Sequence, residues 1–220
     1  MKRAFFSWSG GKDSMLALHR ALESGYEVAA LLAMFDESGE RSRSHGLPPH
    51  LIRWQAEALG IPLVVRHASW ATYEAEFIAA TTELAAQGIH YGLFGDIDLE
   101  PHRVWEEKVC GAAGIEAVLP LWQEPRRRLV DEFLALEYRA RVVCTNARWL
   151  NGSFCGRSFD AAFLGDLPKD VDACGENGEF HTFVFDGPRF QRPVAHELLA
   201  VHERRFESPA PAVFHFAELG

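Results

Sequence analysis

Short apolar runs alternate with helix-period stretches along the first 145 residues, and few folds accommodate that rhythm. Ala4-Phe5-Phe6-Ser7-Trp8 reads as a buried strand. Met15, Leu18 and Leu22 then recur at helical spacing until Gly25 stops the helix. Val28 to Phe35 is a second strand, and Asp36 to His45 a polar loop. Pro48-Pro49 opens a helix that runs through Leu59 and closes at Gly60. Pro62–Arg66, His90–Phe94, Glu116–Leu119 and Arg141–Thr145 read as further strands. Thr72–Ala86, Pro101–Ala113 and Arg126–Tyr138 read as the helices between them. The pattern implies an α/β fold: a parallel sheet with helices on both faces. In such sheets ligands lie at the carboxyl ends of the strands, near the point where strand order reverses. The Ser9 turn, Asp36, Gly95-Asp96 and Thr145-Asn146 all fall at such ends. After Asn146 the rhythm changes to turn dipeptides (Asn151-Gly152, Asn177-Gly178, Asp186-Gly187) and β-rich runs at Phe180–Phe185 and Ala212–Phe216. Ala195–Glu203 fits helix or strand. The expected division is a main domain over 1–145 and a smaller C-terminal α+β lobe over 146–220.

The turn between the first strand and helix is Ser9-Gly10-Gly11-Lys12-Asp13-Ser14. Glycines at 10 and 11 let the backbone bend sharply and approach a ligand closely. The first N–H groups of the helix and its dipole favour an anion there. Ser9 and Ser14 add hydroxyl donors, and Lys12 adds a point charge. Asp13 would repel a bare phosphate. It makes sense with a Mg²⁺ between them, or as a tie within the loop. The sequence is not the Walker pattern, which needs G-x-x-x-x-G-K-[ST].

At 220 residues and 48% hydrophobic, the chain can bury a substantial core. Its net charge of −9 argues against general nucleic-acid or anionic-membrane binding. The apolar run from Val28 to Phe35 is far short of the ~20 residues that span a bilayer. Cys110, Cys144, Cys155 and Cys174 form no C-x-x-C pair, so no zinc or iron–sulfur signature is present. Isolated cysteines imply reduced thiols and a cytoplasmic location.

Two other stretches concentrate polar chemistry. Gly95-Asp96-Ile97 is followed by His102 and Glu106, four apart on one helix face. Asp172 to Thr182 gathers Cys174, Glu176, Asn177, Glu179 and His181 around Gly175 and Gly178. Read alone, the first is a cap with a solvated helix and the second a hairpin turned at Asn177-Gly178. Loops on rigid scaffolds nevertheless often carry function.

The Ser9–Ser14 turn resembles the S-G-G-x-D-S pyrophosphate loop of the N-type ATP pyrophosphatases. Further motifs are Ser44-His45-Gly46, Gln55-Ala56 with Leu59-Gly60-Ile61-Pro62, Gly95-Asp96-Ile97, Pro120-Leu121-Trp122, Gly156-Arg157 with Asp160, and Cys174 through Val184. Together, from Ser9 to about Phe190, they resemble the diphthine–ammonia ligase family. The resemblance implies a Rossmann-like, adenine nucleotide alpha hydrolase-like domain. It also implies an amide-forming ligase that adenylates a carboxylate with ATP, releases pyrophosphate and lets ammonia displace AMP. On that basis Ser9, Gly10, Gly11, Lys12, Asp13 and Ser14 would hold the outer phosphates, with Mg²⁺ at Asp13. Asp36, His45, Gly95 and Asp96 would hold the adenosine side or the α-phosphate. Arg157, Cys174, Glu176, Asn177 and Glu179 would bind the acceptor. Lys12, Asp13, Glu176, Glu179 and His181 would be catalytic. The implied acceptor is a carboxylate on a modified histidine of an elongation factor. Only four of the 22 basic residues are lysine, a balance that fits a GC-rich bacterial source. There the acceptor need not be diphthine, and an unknown small molecule is the alternative to a modified histidine. A homodimer is compatible with the sequence. A thiolation enzyme of the same superfamily, with Cys144 and Cys174 meeting in space, and a nucleotide-binding regulatory module remain as alternative readings.

Overall fold

The computed structural model describes residues 2–43, 45–207 and 211–220; Ser44, part of a motif above, lies outside them. Five parallel strands form the first sheet: β1 (Lys2–Ser7), β2 (Tyr26–Phe35), β3 (Leu63–His67), β4 (Tyr91–Leu93) and β5 (Glu116–Val118). Their order is β3-β2-β1-β4-β5, so the reversal lies between β1 and β4. Ala4–Phe6 of β1 and Val28–Phe35 of β2 are continuous apolar runs because both faces are covered. Alternate residues divide between two apolar clusters. Ala4 and Phe6 of β1 with Leu31, Ala33 and Phe35 of β2 meet α1 (Lys12–Glu23), α2 (Pro49–Leu59) and α5 (Arg126–Ala135). Phe5 with Ala30, Leu32 and Met34 meets α3 (Tyr73–Ala86) and α4 (Glu100–Ala112). The expected parallel sheet with helices on both faces is therefore present. No helix among the described residues is long and apolar enough to cross a membrane.

The strand expected at Arg141–Thr145 exists, but not in that sheet. β6 (Arg139–Asn146) pairs antiparallel with β7 (Phe180–Asp186) and β9 (Ala212–Leu219), and β9 pairs with β8 (Leu198–Phe206). The second sheet has the order β7-β6-β9-β8. An apolar run states that a strand is buried, not which neighbour buries it, so the partner was not readable locally. The change of sheet falls between Val118 and Arg139, ahead of residue 145. The ambiguous Ala195–Glu203 stretch resolves as the approach to β8 and most of that strand. The second sheet is continuous with the first core: Val142, Phe180 and Phe183 belong to the same cluster as Phe6 and Met15.

One buried polar side chain ties the two sheets to the turn after β1. Gln55 of α2 is fully buried. Its Nε2 donates to the Gly10 carbonyl at 2.9 Å and to the Val184 carbonyl at 2.6 Å, and its Oε1 accepts from Trp8 Nε1 at 3.0 Å. Gln55→Leu would take the side-chain partner from Trp8 Nε1 and the Val184 carbonyl, at ~1–3 kcal/mol each, and leave the Gly10 carbonyl with its bond from Val184 N alone. A net loss of about 3 kcal/mol in urea unfolding is expected. An unchanged midpoint would refute the bridging role.

Candidate functional site

α1 and α4 leave the sheet on opposite faces, and a cavity of about 710 Å³ opens above the gap between β1 and β4. The loop after β1, the end of β4 and the loop before β7 line it.

Gly10 has φ +82°, the left-handed region that the bend requires. Its carbonyl also accepts from Val184 N at 3.0 Å, which anchors the turn to β7. Gly11 is the N-cap of α1 and has no side chain to cap with, so donors of the first turn must be met from outside the helix. One such contact is Lys12 N–H to Thr182 Oγ1, 3.0 Å. A Cβ on Gly11 would lie 2.2 Å from His45 Cε1. Ser9 Oγ and Ser14 Oγ are 2.7 Å apart.

Lys12 is only 5% exposed. Its Nζ donates to Asp13 Oδ2 at 2.7 Å and to the Cys174 carbonyl, and lies 5.7 Å above the Phe180 ring. Burial works against its charge, but Asp13, Cys174 and Glu176 outweigh that and raise its pKa. Burial also raises the Asp13 carboxyl, against the pull of Lys12.

Across the gap, Asp96 accepts from His102 Nδ1, 2.6 Å apart. Burial would raise Asp96, yet hydrogen bonds from His102 and Glu106 hold it below the usual range. Glu106, 3% exposed, is pushed up to about 11 by burial and by Asp96, so it holds its proton. The solvated helix face expected there is therefore only partly right, since Glu106 and Asp96 both line the cavity.

The stretch before β7 is a chain of turns, not a hairpin at Asn177-Gly178. It brings Cys174, Glu176 and His181 to the cavity. His181 stacks on His45 with centroids 4.7 Å apart, and His45 Nδ1 is 2.9 Å from the Thr182 carbonyl. Burial and Lys12 push His181 down to about 4; burial and His181 hold His45 well below its usual value. Both rings are neutral at pH 7 and can serve as hydrogen-bonding groups, not as cations. Glu176 is pushed up to about 7, by burial first and Asp13 next. Because its folded pKa exceeds the usual 4.5, its stabilising contribution is complete below about 4.5 and is lost as pH rises through about 7. Wild type should thus lose ~3 kcal/mol relative to Glu176→Gln over that window. Parallel pH profiles for the two proteins would contradict the assignment.

Apart from Gly10 and Gly11, four expected site residues do not line the cavity. Asp36 turns back on its own loop, accepting from Ser38 Oγ at 2.8 Å and Glu40 N at 3.1 Å. Arg157 pairs with Asp166 at 2.7 Å and lies over Phe154 and Phe163. Glu179, fully buried, accepts from Asp172 N, Asn177 N and Asn177 Nδ2 at 3.2, 2.9 and 3.0 Å. Its carboxylate and the Asn177 amide therefore shape the loop. The cavity does take Ser9, Lys12, Asp13 and Ser14 from the first turn, and His45, Gly95 and Asp96 from elsewhere. Gly10 and Gly11 form the bend behind them.

Sequence reasoning missed Thr182 as the joint to α1, Trp70 and Tyr73 as cavity walls, and Arg126. Arg126 grips Asp98 through two bonds of 2.7 Å and Asp172 at 2.6 Å, bracing the loop. Trp70, a large aromatic inside the polar turn Ser69–Thr72, was the one sequence signal available. Among the described residues no three His, Cys, Asp or Glu side chains gather into a metal cluster. A Mg²⁺ that shares its coordination with phosphates and water needs only one or two carboxylates. Asp13 pairs with Lys12 through Oδ2 but lines the cavity with about a quarter of its side chain open, so it can offer a carboxylate oxygen to such an ion.

Residues 1–117 match the family model for the diphthamide synthase N-terminal domain, and residues 125–206 the model for its C-terminal domain. Diphthine–ammonia ligases from Bos taurus and Homo sapiens are each 25% identical over 241 residues, covering 96% of this chain and 89% of theirs. The Saccharomyces cerevisiae protein of that name is 25% identical over 83% of this chain, which spans 33% of the yeast sequence. A solved structure described as a predicted subunit of tRNA methyltransferase, from Methanocaldococcus jannaschii, aligns at 14% identity and a TM-score of 0.44 over 83% of this chain and 96% of its own. That likeness is too loose to bear on fold or function. With both models matched in order on either side of the cavity, the chain belongs to the diphthamide synthase family.

Proposed function

We propose that the chain is an ATP-dependent ligase that joins ammonia to a substrate carboxylate. The observation that carries this reading is the meeting of the α1 N-terminal turn and the Glu176–His181 loop in one cavity, joined by Lys12 N–H to Thr182. In this reading the first turn of α1, with Ser9, Ser14 and Lys12, binds the β- and γ-phosphates. Asp13 would hold a Mg²⁺, which neutralises phosphate charge when bound. A carboxylate oxygen attacks the α-phosphorus and pyrophosphate leaves. Ammonia then attacks the acyl carbon, the C–O bond to AMP breaks, and the nitrogen gives up a proton. Glu176, with a pKa near working pH, is placed to accept it. Most of the acceleration comes from positioning and charge neutralisation.

The curated relatives are named for diphthine, so a diphthine carboxylate is the first acceptor to test, ahead of free small carboxylic acids. In this scheme the parallel-sheet part, through Val118, supplies the nucleotide half and the second sheet, from Arg139 on, the acceptor half, in a cytoplasmic enzyme. The cysteines lend sulfur transfer no support. Cys174 lines the cavity, but burial pushes its thiol up to about 12 and it donates to the Arg126 carbonyl. Cys144 neighbours Cys155, and burial pushes it up as well. Turnover with ATP, ammonium and acceptor should release AMP and pyrophosphate, read by ³¹P NMR. ADP and phosphate would overturn the mechanism.

A further inference from the structure

Asp36 is turned away, and the other groups expected at the adenosine end sit against the first turn of α1: His45 beside Gly11, Gly95 beside Ser14 and Asp96 near Asp13. The phosphate-binding groups gather at the α1 end of the cavity. The other part of its wall is apolar: Leu32, Met34 and Phe94 from the strand ends, and Tyr73 from α3. Trp70 stands there too, 76% exposed, more than any other large apolar side chain described.

A single exposed apolar side chain is ordinary on a protein surface, but this one stands on the wall of the cavity. Here the surrounding groups hold it in place. The Arg43 guanidinium lies 4.8 Å from the ring centroid, and Arg43 Nε donates to the Ala68 carbonyl at 3.0 Å. Tyr73 stands beside it, centroids 6.1 Å apart at 36°. The turn carrying Trp70 is closed by reciprocal bonds, Ser69 N to Thr72 Oγ1 at 3.0 Å and Thr72 N to Ser69 Oγ at 3.1 Å. A braced ring with Arg43 on it, lining a cavity whose neighbouring wall is apolar, has the form of a stacking platform.

We propose that Trp70 stacks on the purine ring of ATP and supplies the base-binding part of its affinity. This rests on the nucleotide reading above. Stacking of a base on an aromatic side chain is worth ~1–3 kcal/mol, or roughly 5- to 150-fold in affinity.

The test uses the whole protein with Mg²⁺ and two probes: α,β-methylene-ATP, and inorganic tripolyphosphate, which has no base. Titration calorimetry should show Trp70→Ala losing at least about 5-fold for the nucleotide and nothing for tripolyphosphate. Trp70→Phe should keep most of the nucleotide affinity, because a phenyl ring can still stack on the base. Equal nucleotide affinity in wild type and Trp70→Ala overturns the stacking role and leaves the nucleotide reading standing. Equal losses for both probes also overturn it, since the effect would not concern the base. Failure of the wild type to bind either probe overturns both.

Discussion

Lys12→Met should lower the rate of acceptor-dependent pyrophosphate exchange by roughly 100- to 1,000-fold, the range seen when one preorganised electrostatic donor is removed from a reaction centre. The same change should cost stability. Lys12 is nearly enclosed, and the methionine would leave Asp13 and the Cys174 carbonyl without their cation. Breaking a buried pair by deleting one member costs ~3–5 kcal/mol. Asp13 keeps about a quarter of its side chain open to water, so the lower end of that range applies. Urea unfolding and exchange kinetics separate the two effects. A folded Lys12→Met protein with wild-type exchange would show that the charge does no work on the phosphates.

Gly11→Ala is the second large effect, for a different reason. The added carbon would fall 2.2 Å from His45 Cε1 and 3.2 Å from the Thr182 carbonyl. His45 cannot easily retreat, because it is held against that carbonyl at 2.9 Å and stacked on His181. Either the ring or the first turn of α1 must move, and overpacking of this kind costs ~1–3 kcal/mol. Nucleotide affinity should fall by about 10- to 100-fold, since the amides of that turn are displaced together. Adding His45→Ala should return much of the affinity by making room. If Gly11→Ala binds nucleotide as the wild type does, the close approach has no functional meaning.

The parallel sheet was legible because its strands are short apolar runs and its helices stop at Gly25, Gly60 and Gly88, cues that are local. β6 was legible as a strand but not as a member of the second sheet, because pairing is decided by distant residues. The site shows the same divide. Lys12, Asp13 and Glu176 were named from motif chemistry, and they meet. Glu179 has the same chemistry as Glu176 three residues earlier, yet it points inward to cap Asp172 and Asn177. Arg157 was expected at a substrate carboxylate and is satisfied by Asp166. Motifs report residue types, whereas orientation follows from which backbone donors need a partner. Trp70 was passed over because its significance lies in its exposure, which is a property of the folded chain.

Crystals grown with α,β-methylene-ATP and Mg²⁺ would decide where the triphosphate lies. Density is expected at the first turn of α1, beside the Ser9 and Ser14 hydroxyls and within reach of Lys12. A triphosphate held away from Gly10 and Gly11, for instance in the shallow hollow beside Arg20 and Pro120, would contradict it.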